Sequence, residues 1–302
     1  MRFTILGAGG IGAYFGAILA RAGHDVTLFA RGDHLAAIRR DGLRVRGPDE
    51  DFVAPLGATD DVASLPPSDV ALVTVKSYSL AEVVPVAKAM AERGATVVPL
   101  LNGVTAVPDL IAGGVPADSV VGGIARISAA RVAPGLVERR SSFRSIVVGE
   151  MGGGSSERTA AIATALGGAG IEARAAENIE VELWQKFVFI TALGAVCGLT
   201  RSPIGPVREA PGGPKFIERA VNEVVTVARA RGIALPADEA PRTTAYIGTL
   251  PGAMKPSFLM DLEAGGRTEL DILSGAVARF AAEAHLECPV HETVTTVLSV
   301  AR

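Results

Sequence analysis

The sequence predicts an α/β chain in two parts, a doubly wound parallel sheet followed by an all-α domain. Three observations predict it. Residues 2–6 form a short β-rich run that ends in a glycine turn and opens an apolar helix. Strand-like and helical stretches then alternate as far as about residue 176, the pattern of a largely parallel sheet covered on both faces. From residue 177 onward the patterns are long and helical.

Taken in order, residues 7–12 are the turn, 11–22 are small and apolar throughout, Gly23 stops that helix, and 25–29 read as a second strand. Further strand-like runs lie at 69–75, 95–100, 119–124 and 145–149, with helical stretches such as 80–93 between them and a last strand at 171–175. The helices expected beyond the boundary are 177–199, 215–231, 238–248, 268–284 and 291–300, punctuated by Pro and Gly at 202–206 and 211–214. The expected domains are therefore 1–176 and 177–302, each long enough to bury a core of its own.

Bulk composition narrows the function. The chain of 302 residues is 49% hydrophobic and 20% charged, with Lys+Arg 29 against Asp+Glu 32 and a net charge of −3, so nothing suggests the basic face that nucleic acid needs. Cys197 and Cys288 form no CxxC pair and no zinc spacing; they read as free buried thiols, which fits a reducing cytoplasm, and no metal site is expected. The N-terminus lacks the pattern of a signal peptide. The longest apolar stretch, 187–199, is too short to span a bilayer, is flanked by Lys186 and Arg201, and reads as a core helix. His24, His34, His285 and His291 sit in no catalytic or metal motif and read as ordinary surface or core residues.

Gly7-Ala8-Gly9-Gly10-Ile11-Gly12 is GxGxxG in its required context, after a strand and before a helix, and marks a Rossmann-type dinucleotide site. Gly7 permits the tight turn, Gly9 lets a pyrophosphate approach the backbone, Gly12 lets helix and strand pack closely, and the helix N-terminus offers free N–H groups to the phosphates. Enzymes using NAD usually place an acid at the end of the second strand, where this chain has Ala30 and then Arg31. A guanidinium suits a 2′-phosphate, so NADP(H) is expected over NAD(H), with Asp33 shortly after as the alternative acid. Lys76 in Val73-Thr74-Val75-Lys76-Ser77 and Asn102 in Leu100-Leu101-Asn102-Gly103-Val104 both fall at carboxyl edges of predicted strands, where ligands of such sheets bind.

The ordered set formed by the glycine turn, Arg31, TVKSY at 74–78, LLNGV at 100–104, ELWQKF at 182–187 and KPSFLMDLEAGGRTELD at 255–271 resembles the ketopantoate reductase family over essentially the whole chain. The resemblance implies roles for individual residues. Lys186 matches the proton donor, and Asn102 and Lys76 match residues near the nicotinamide and the substrate. Ser257 matches a substrate-binding hydroxyl. Glu269 matches an acid near the nicotinamide ribose and the catalytic lysine, and Ala129 a backbone contact to the cofactor. The chemistry agrees: ketone reduction needs a hydride donor, a proton donor at the oxygen and stabilisation of the developing alkoxide, and a partly desolvated lysine supplies the last two. The geometric expectation is that the Lys186 ammonium faces the nicotinamide across the gap between the two halves.

The sequence departs from the family where asparagines stand four and eight residues after the catalytic lysine, on the same helix face. Here those positions are Ile190 and Gly194, which removes amide hydrogen bonds and is expected to leave an apolar space. The expected function is NADPH-dependent reduction of a ketone or 2-oxo acid, bulkier or more apolar than ketopantoate. The alternatives are oxidation of a 2-hydroxy acid or related alcohol with the same site in reverse, or a nicotinamide-binding sensor without turnover. Arg201 is a candidate carboxylate anchor. A small-molecule partner, a homodimer built on the helical part, no nucleic acid and no membrane complete the expectations.

Overall fold

The computed structural model describes residues 1–300. The chain forms two compact units: Met1–Leu101 with Thr105–Ile179, and the short segment Asn102–Val104 with the chain from Glu180 onward.

The first unit is built on β1 (Arg2–Leu6), α1 (Gly10–Arg21), β2 (Asp25–Phe29), α2 (Gly32–Asp41), β3 (Leu43–Gly47), β4 (Glu50–Ala54), β5 (Gly57–Thr59), β6 (Val70–Val73), α3 (Leu80–Glu92), β7 (Thr96–Pro99) and α4 (Ala106–Ala112). It continues with β8 (Gly122–Arg126), β9 (Ala129–Ala133), β10 (Leu136–Arg139), β11 (Ser145–Gly149), α5 (Glu157–Gly168) and β12 (Glu172–Ala175). Its central sheet runs β5-β2-β1-β6-β7, all parallel. Strand order reverses between β1 and β6, so their carboxyl ends form the crevice where ligands of doubly wound sheets bind. The strands buried here are the continuous apolar runs that a sheet covered on both faces requires.

The single largely parallel sheet expected from the alternation is only part of this unit. A mixed sheet ordered β4-β3-β10-β9 lies against the other side of α1, and the runs near 119–124 and 145–149 enter a third sheet, β12-β11-β8, in which β8 and β11 are antiparallel. The first of these runs also starts late: Ala117–Ser119 is a 3₁₀ turn, and Val120 makes only an isolated parallel bridge to Val97. The second sheet explains why α1 is apolar all round. Ala13, Tyr14, Phe15, Ala17, Ile18 and Leu19 are all buried because the helix is sandwiched between two sheets. A polar knot holds the outer layer, with the Tyr14 hydroxyl and Arg139 Nε both donating to Glu50 Oε1 at 2.7 Å. Burial, and then the Glu50 carboxylate, push the Tyr14 hydroxyl up to about 12.

The second unit is helical: α6 (Ile179–Thr200), α7 (Ile204–Glu209), α8 (Gly213–Ala230), α9 (Glu239–Thr249), α10 (Ser257–Glu263), α11 (Ser274–Glu283) and α12 (Pro289–Val300). α6 has 22 residues, longer than the apolar run suggested, and by length and composition alone is long enough to cross a membrane. Its Phe187, Val188, Ala192, Leu193 and Val196 instead pack among residues of the later helices in the core of this unit. The helix expected over 268–284 is broken. Leu270–Ile272 is a 3₁₀ turn, Leu273 leaves helical geometry at φ −101 ψ −104, and α11 starts only at Ser274. Leu270 and Leu273 both enter the core, and a spacing of three suits a 3₁₀ turn, in which residues three apart eclipse. Both cysteines are free and buried, and burial pushes the Cys197 thiol up to about 12. Among the described residues no cluster of His, Cys, Asp and Glu could hold a metal.

His291 is fully buried, its Nε2 donating to the Ala220 carbonyl at 3.0 Å and its Nδ1 facing Ser274 Oγ at 3.1 Å. Burial holds it below its ordinary value of 6.5. Below that value the unfolded chain binds a proton that the folded imidazole resists, so stability is full above pH 6.5 and falls as the pH drops. Urea unfolding between pH 7 and 5 is expected to approach a slope of about 1.4 kcal/mol per pH unit for this group at the acid end. Stability unchanged over that range would mean that the imidazole accepts its proton in place. A second expectation concerns Gly12, where a Cβ would run into the Thr74 hydroxyl and the Gly7 carbonyl. Gly12→Ala should cost about 1–3 kcal/mol, read as a lower thermal midpoint.

Candidate active site

In the first unit the glycine turn leaves β1 and enters α1. Gly7 has φ +112, a conformation side chains avoid, and Val75 and the Thr74 backbone occupy the place where its Cβ would stand. Thr74 fixes the turn from below: its Oγ1 donates to the Gly7 carbonyl at 2.7 Å. Gly10 lies against the carbonyl of Ala129, the first residue of β9, so the predicted backbone contact at Ala129 sits at the turn itself. Gly9 differs from its neighbours, because a Cβ there would meet nothing within 4 Å. Gly9 is also the N-cap of α1, with no side-chain cap and no acid in the first turn. Uncapped amides beside open space, with Ala8 buried and Ile11 half-buried around them, are what a diphosphate needs.

Two predicted basic residues stand at strand ends of the same unit. Arg31 follows β2 as the exposed N-cap of α2 and pairs with Glu82 at 3.1 Å, both side chains being more than half exposed. Lys76 is half-buried just past β6, where it opens the 3₁₀ turn Ser77–Ser79.

The second unit gathers the other predicted residues. Asn102 and Glu269, 167 positions apart in sequence, meet directly: Asn102 Nδ2 donates to Glu269 Oε2 at 3.1 Å. Glu269 is 5% exposed, an unusual burial for a carboxylate, and the break before α11 places it there. Gly103 takes φ +86 with Ile272 at 3.0 Å from its would-be Cβ, so the Asn-Gly turn carries the asparagine against the 3₁₀ turn that follows Glu269. Lys186 is half-buried on α6, with buried Trp184 and Phe187 beside it in sequence. Ile190 and Gly194 follow it at spacings that keep them on its helix face. Ser257 is exposed at the first position of α10, with Pro256 as the N-cap. Arg201 ends α6 with φ 52 and is exposed, the position of a helix terminator.

The apolar space expected at Gly194 is already filled. Phe258 lies over this face, 3.5 Å from a Cβ built at Gly194 and 2.6 Å from one built at Gly198. At 198 the absence of a side chain lets this ring pack on the helix, while at 194 the ring lies at ordinary contact distance. Neither Phe258 nor Thr74 stood out in the sequence. Thr74 reads as one more residue at a strand end, and a phenylalanine beside the predicted serine reads as core; the second glycine at 198, one turn past 194, is the available signal.

Comparison with known proteins identifies the family of the chain. The family described as Ketopantoate reductase PanE/ApbA matches residues 3–153, and Ketopantoate reductase PanE/ApbA C terminal matches residues 178–302. The 2-dehydropantoate 2-reductase of Halobacterium salinarum is 32% identical over 307 residues, covering 100% of this chain and 99% of that protein. An uncharacterized oxidoreductase, YkpB, of Bacillus subtilis is 30% identical over 298 residues, covering 97% and 96%. The crystal structure of a PanE/ApbA family ketopantoate reductase from Ralstonia eutropha superposes with a TM-score of 0.90 at 27% identity, covering 99% of this chain and 98% of that one. Matched along both units and carrying the glycine turn, the half-buried lysine and the buried acid in that order, the chain belongs to the ketopantoate reductase family of oxidoreductases.

Proposed function

We propose that the protein is an NADPH-dependent reductase of a 2-oxo acid or related ketone whose substituent is more apolar than that of ketopantoate. The observation that carries the reading is the half-buried Lys186 on a helix face whose next two turns present Ile190 and a phenylalanine-covered Gly194, in a chain of this family. The open, uncapped amides at Gly9 support a diphosphate-bearing cofactor, held by residues 7–12 and the Ala129 backbone, with Arg31 toward the 2′-phosphate and Lys76 and Asn102 toward the nicotinamide end. NADPH, when bound, supplies the hydride. Lys186 Nζ holds the proton at the substrate carbonyl oxygen and releases it as negative charge develops there, and its positive charge stabilises the alkoxide until the proton moves. Its half-buried setting strengthens that interaction by excluding water. Glu269, fixed by the Asn102 amide, presents a carboxylate of defined orientation toward the nicotinamide ribose. Ser257 offers an exposed hydroxyl to the substrate, while Ile190 and Phe258 replace amide contacts by apolar surface, which selects against a substrate hydroxyl by leaving it without a partner.

Lys186→Ala is expected to lower kcat by about 10²- to 10⁴-fold while leaving the thermal midpoint near that of the parent. A kcat close to normal removes Lys186 from the chemistry. A panel of 2-oxo acids followed by NADPH absorbance should give a higher kcat/KM for an apolar member than for ketopantoate. Efficient turnover of ketopantoate overturns the substrate preference and leaves the reductase standing. Asn102→Ala strips a partner from the buried Glu269 carboxylate and should cost about 1–3 kcal/mol in urea unfolding.

A further inference from the structure

A pocket of about 480 Å³ opens beside the carboxyl end of β2, lined by Arg31, Asp33, His34, Arg131, Ala133 and Pro134 among others. Arg31, Asp33 and His34 come from the start of α2; Arg131 and Ala133 come from β9, in the outer sheet. All belong to the first unit. His34 is 3% exposed, and its Nδ1 accepts the backbone N–H of Gly135 at 2.9 Å. That bond leaves the neutral ring its proton on Nε2, and Nε2 is buried with no hydrogen-bond partner. A buried donor without an acceptor is costly and calls for a ligand atom. Burial, and then the neighbouring Arg131 charge, hold this imidazole below its ordinary value, against the pull of the nearby Ala8 carbonyl, so it stays neutral at pH 7. Two guanidinium groups against one carboxylate leave the pocket net positive. Arg31 pairs with exposed Glu82, a surface pair worth little and easily exchanged.

We infer that Arg131 and His34 complete a three-sided receptor for the 2′-phosphate of the cofactor, with Arg31 and Arg131 as charged donors and His34 Nε2–H as a neutral one. The inference rests on the NADPH reading and deepens it: discrimination between the two nicotinamide cofactors is divided between the end of β2 and the outer sheet. Asp33, at the same rim, is left to the adjoining ribose hydroxyl. A phosphate monoester dianion can accept from all three donors at once, whereas the bare 2′-hydroxyl of NAD offers a single oxygen and leaves the guanidinium groups without a charge partner.

The test is calorimetric titration of adenosine 2′,5′-bisphosphate, 5′-AMP, NADP and NAD into the parent protein, Arg131→Gln and His34→Asn. Arg131 is exposed, so its replacement leaves the fold intact; asparagine at 34 keeps an acceptor for the Gly135 amide and removes only the Nε2 donor. Arg131→Gln is expected to raise Kd for adenosine 2′,5′-bisphosphate and NADP by about 10- to 100-fold, and His34→Asn by about 3- to 10-fold, with NAD and 5′-AMP moved less than about twofold. If the parent prefers NADP and Arg131→Gln keeps that preference, this assignment is wrong and the NADPH reading survives. If the parent binds NAD as tightly as NADP, both fall together. An equal loss for NADP and NAD in either variant would also overturn the assignment, because it places the residue against the shared adenosine.

Discussion

The first unit depends on how closely backbone can approach backbone around the glycine turn. With no Cβ at Gly12, α1 settles onto the ends of β1 and β6, where the Thr74 hydroxyl caps the Gly7 carbonyl. With none at Gly10, the Ala129 carbonyl closes over the helix start from the outer sheet. These two approaches fix a helix between two sheets, and that sandwich accounts for its having no polar face. They leave Gly9 open: no side chain caps the helix there, and a Cβ on it would meet nothing within 4 Å.

A different economy governs the second unit. Its core is an ordinary helical packing of Leu, Val, Ala and Phe, but the break before α11 inserts a carboxylate, and a tripeptide from the middle of the sequence is folded in to meet it. A buried acid is tolerated when it is hydrogen-bonded and oriented, and Asn102 does both. The rest of the polar equipment stays at partial exposure on an otherwise apolar frame, so the unit keeps its stability in one set of residues and its chemistry in another.

Much of this was legible in the amino-acid order. Four of the five parallel strands, β1, β2, β6 and β7, follow from apolar runs, whereas β5, only three residues long and without such a run, does not; the glycine turn is recognisable because each of its glycines meets a separate steric demand. The outer sheet escaped because its strands, at 43–54 and 129–139, are short, charged and half-exposed, and because β3 pairs with β10 across some ninety intervening residues, which periodicity within a window does not sense. The helix expected over 268–284 is broken for a local reason: most of its residues are good helix formers, and the tertiary demand on Glu269, Leu270 and Leu273, just before the weak pair Ser274-Gly275, overrides them. At the candidate site, residue types and faces could be read, while the ring that occupies the face beyond Lys186 could not, since Phe258 approaches from a segment more than sixty positions away.

The seating of Phe258 on Gly194 and Gly198 has a consequence for how this pocket can change over generations. A methyl group at 194 would make ordinary contact with the ring at 3.5 Å, but one at 198 would collide with it at 2.6 Å, and shrinking the ring to make room would open a void in the core. The size of the residue at 198 and the size of the ring at 258 are therefore tied to one another, so a larger side chain at the first position is accommodated only together with a smaller one at the second.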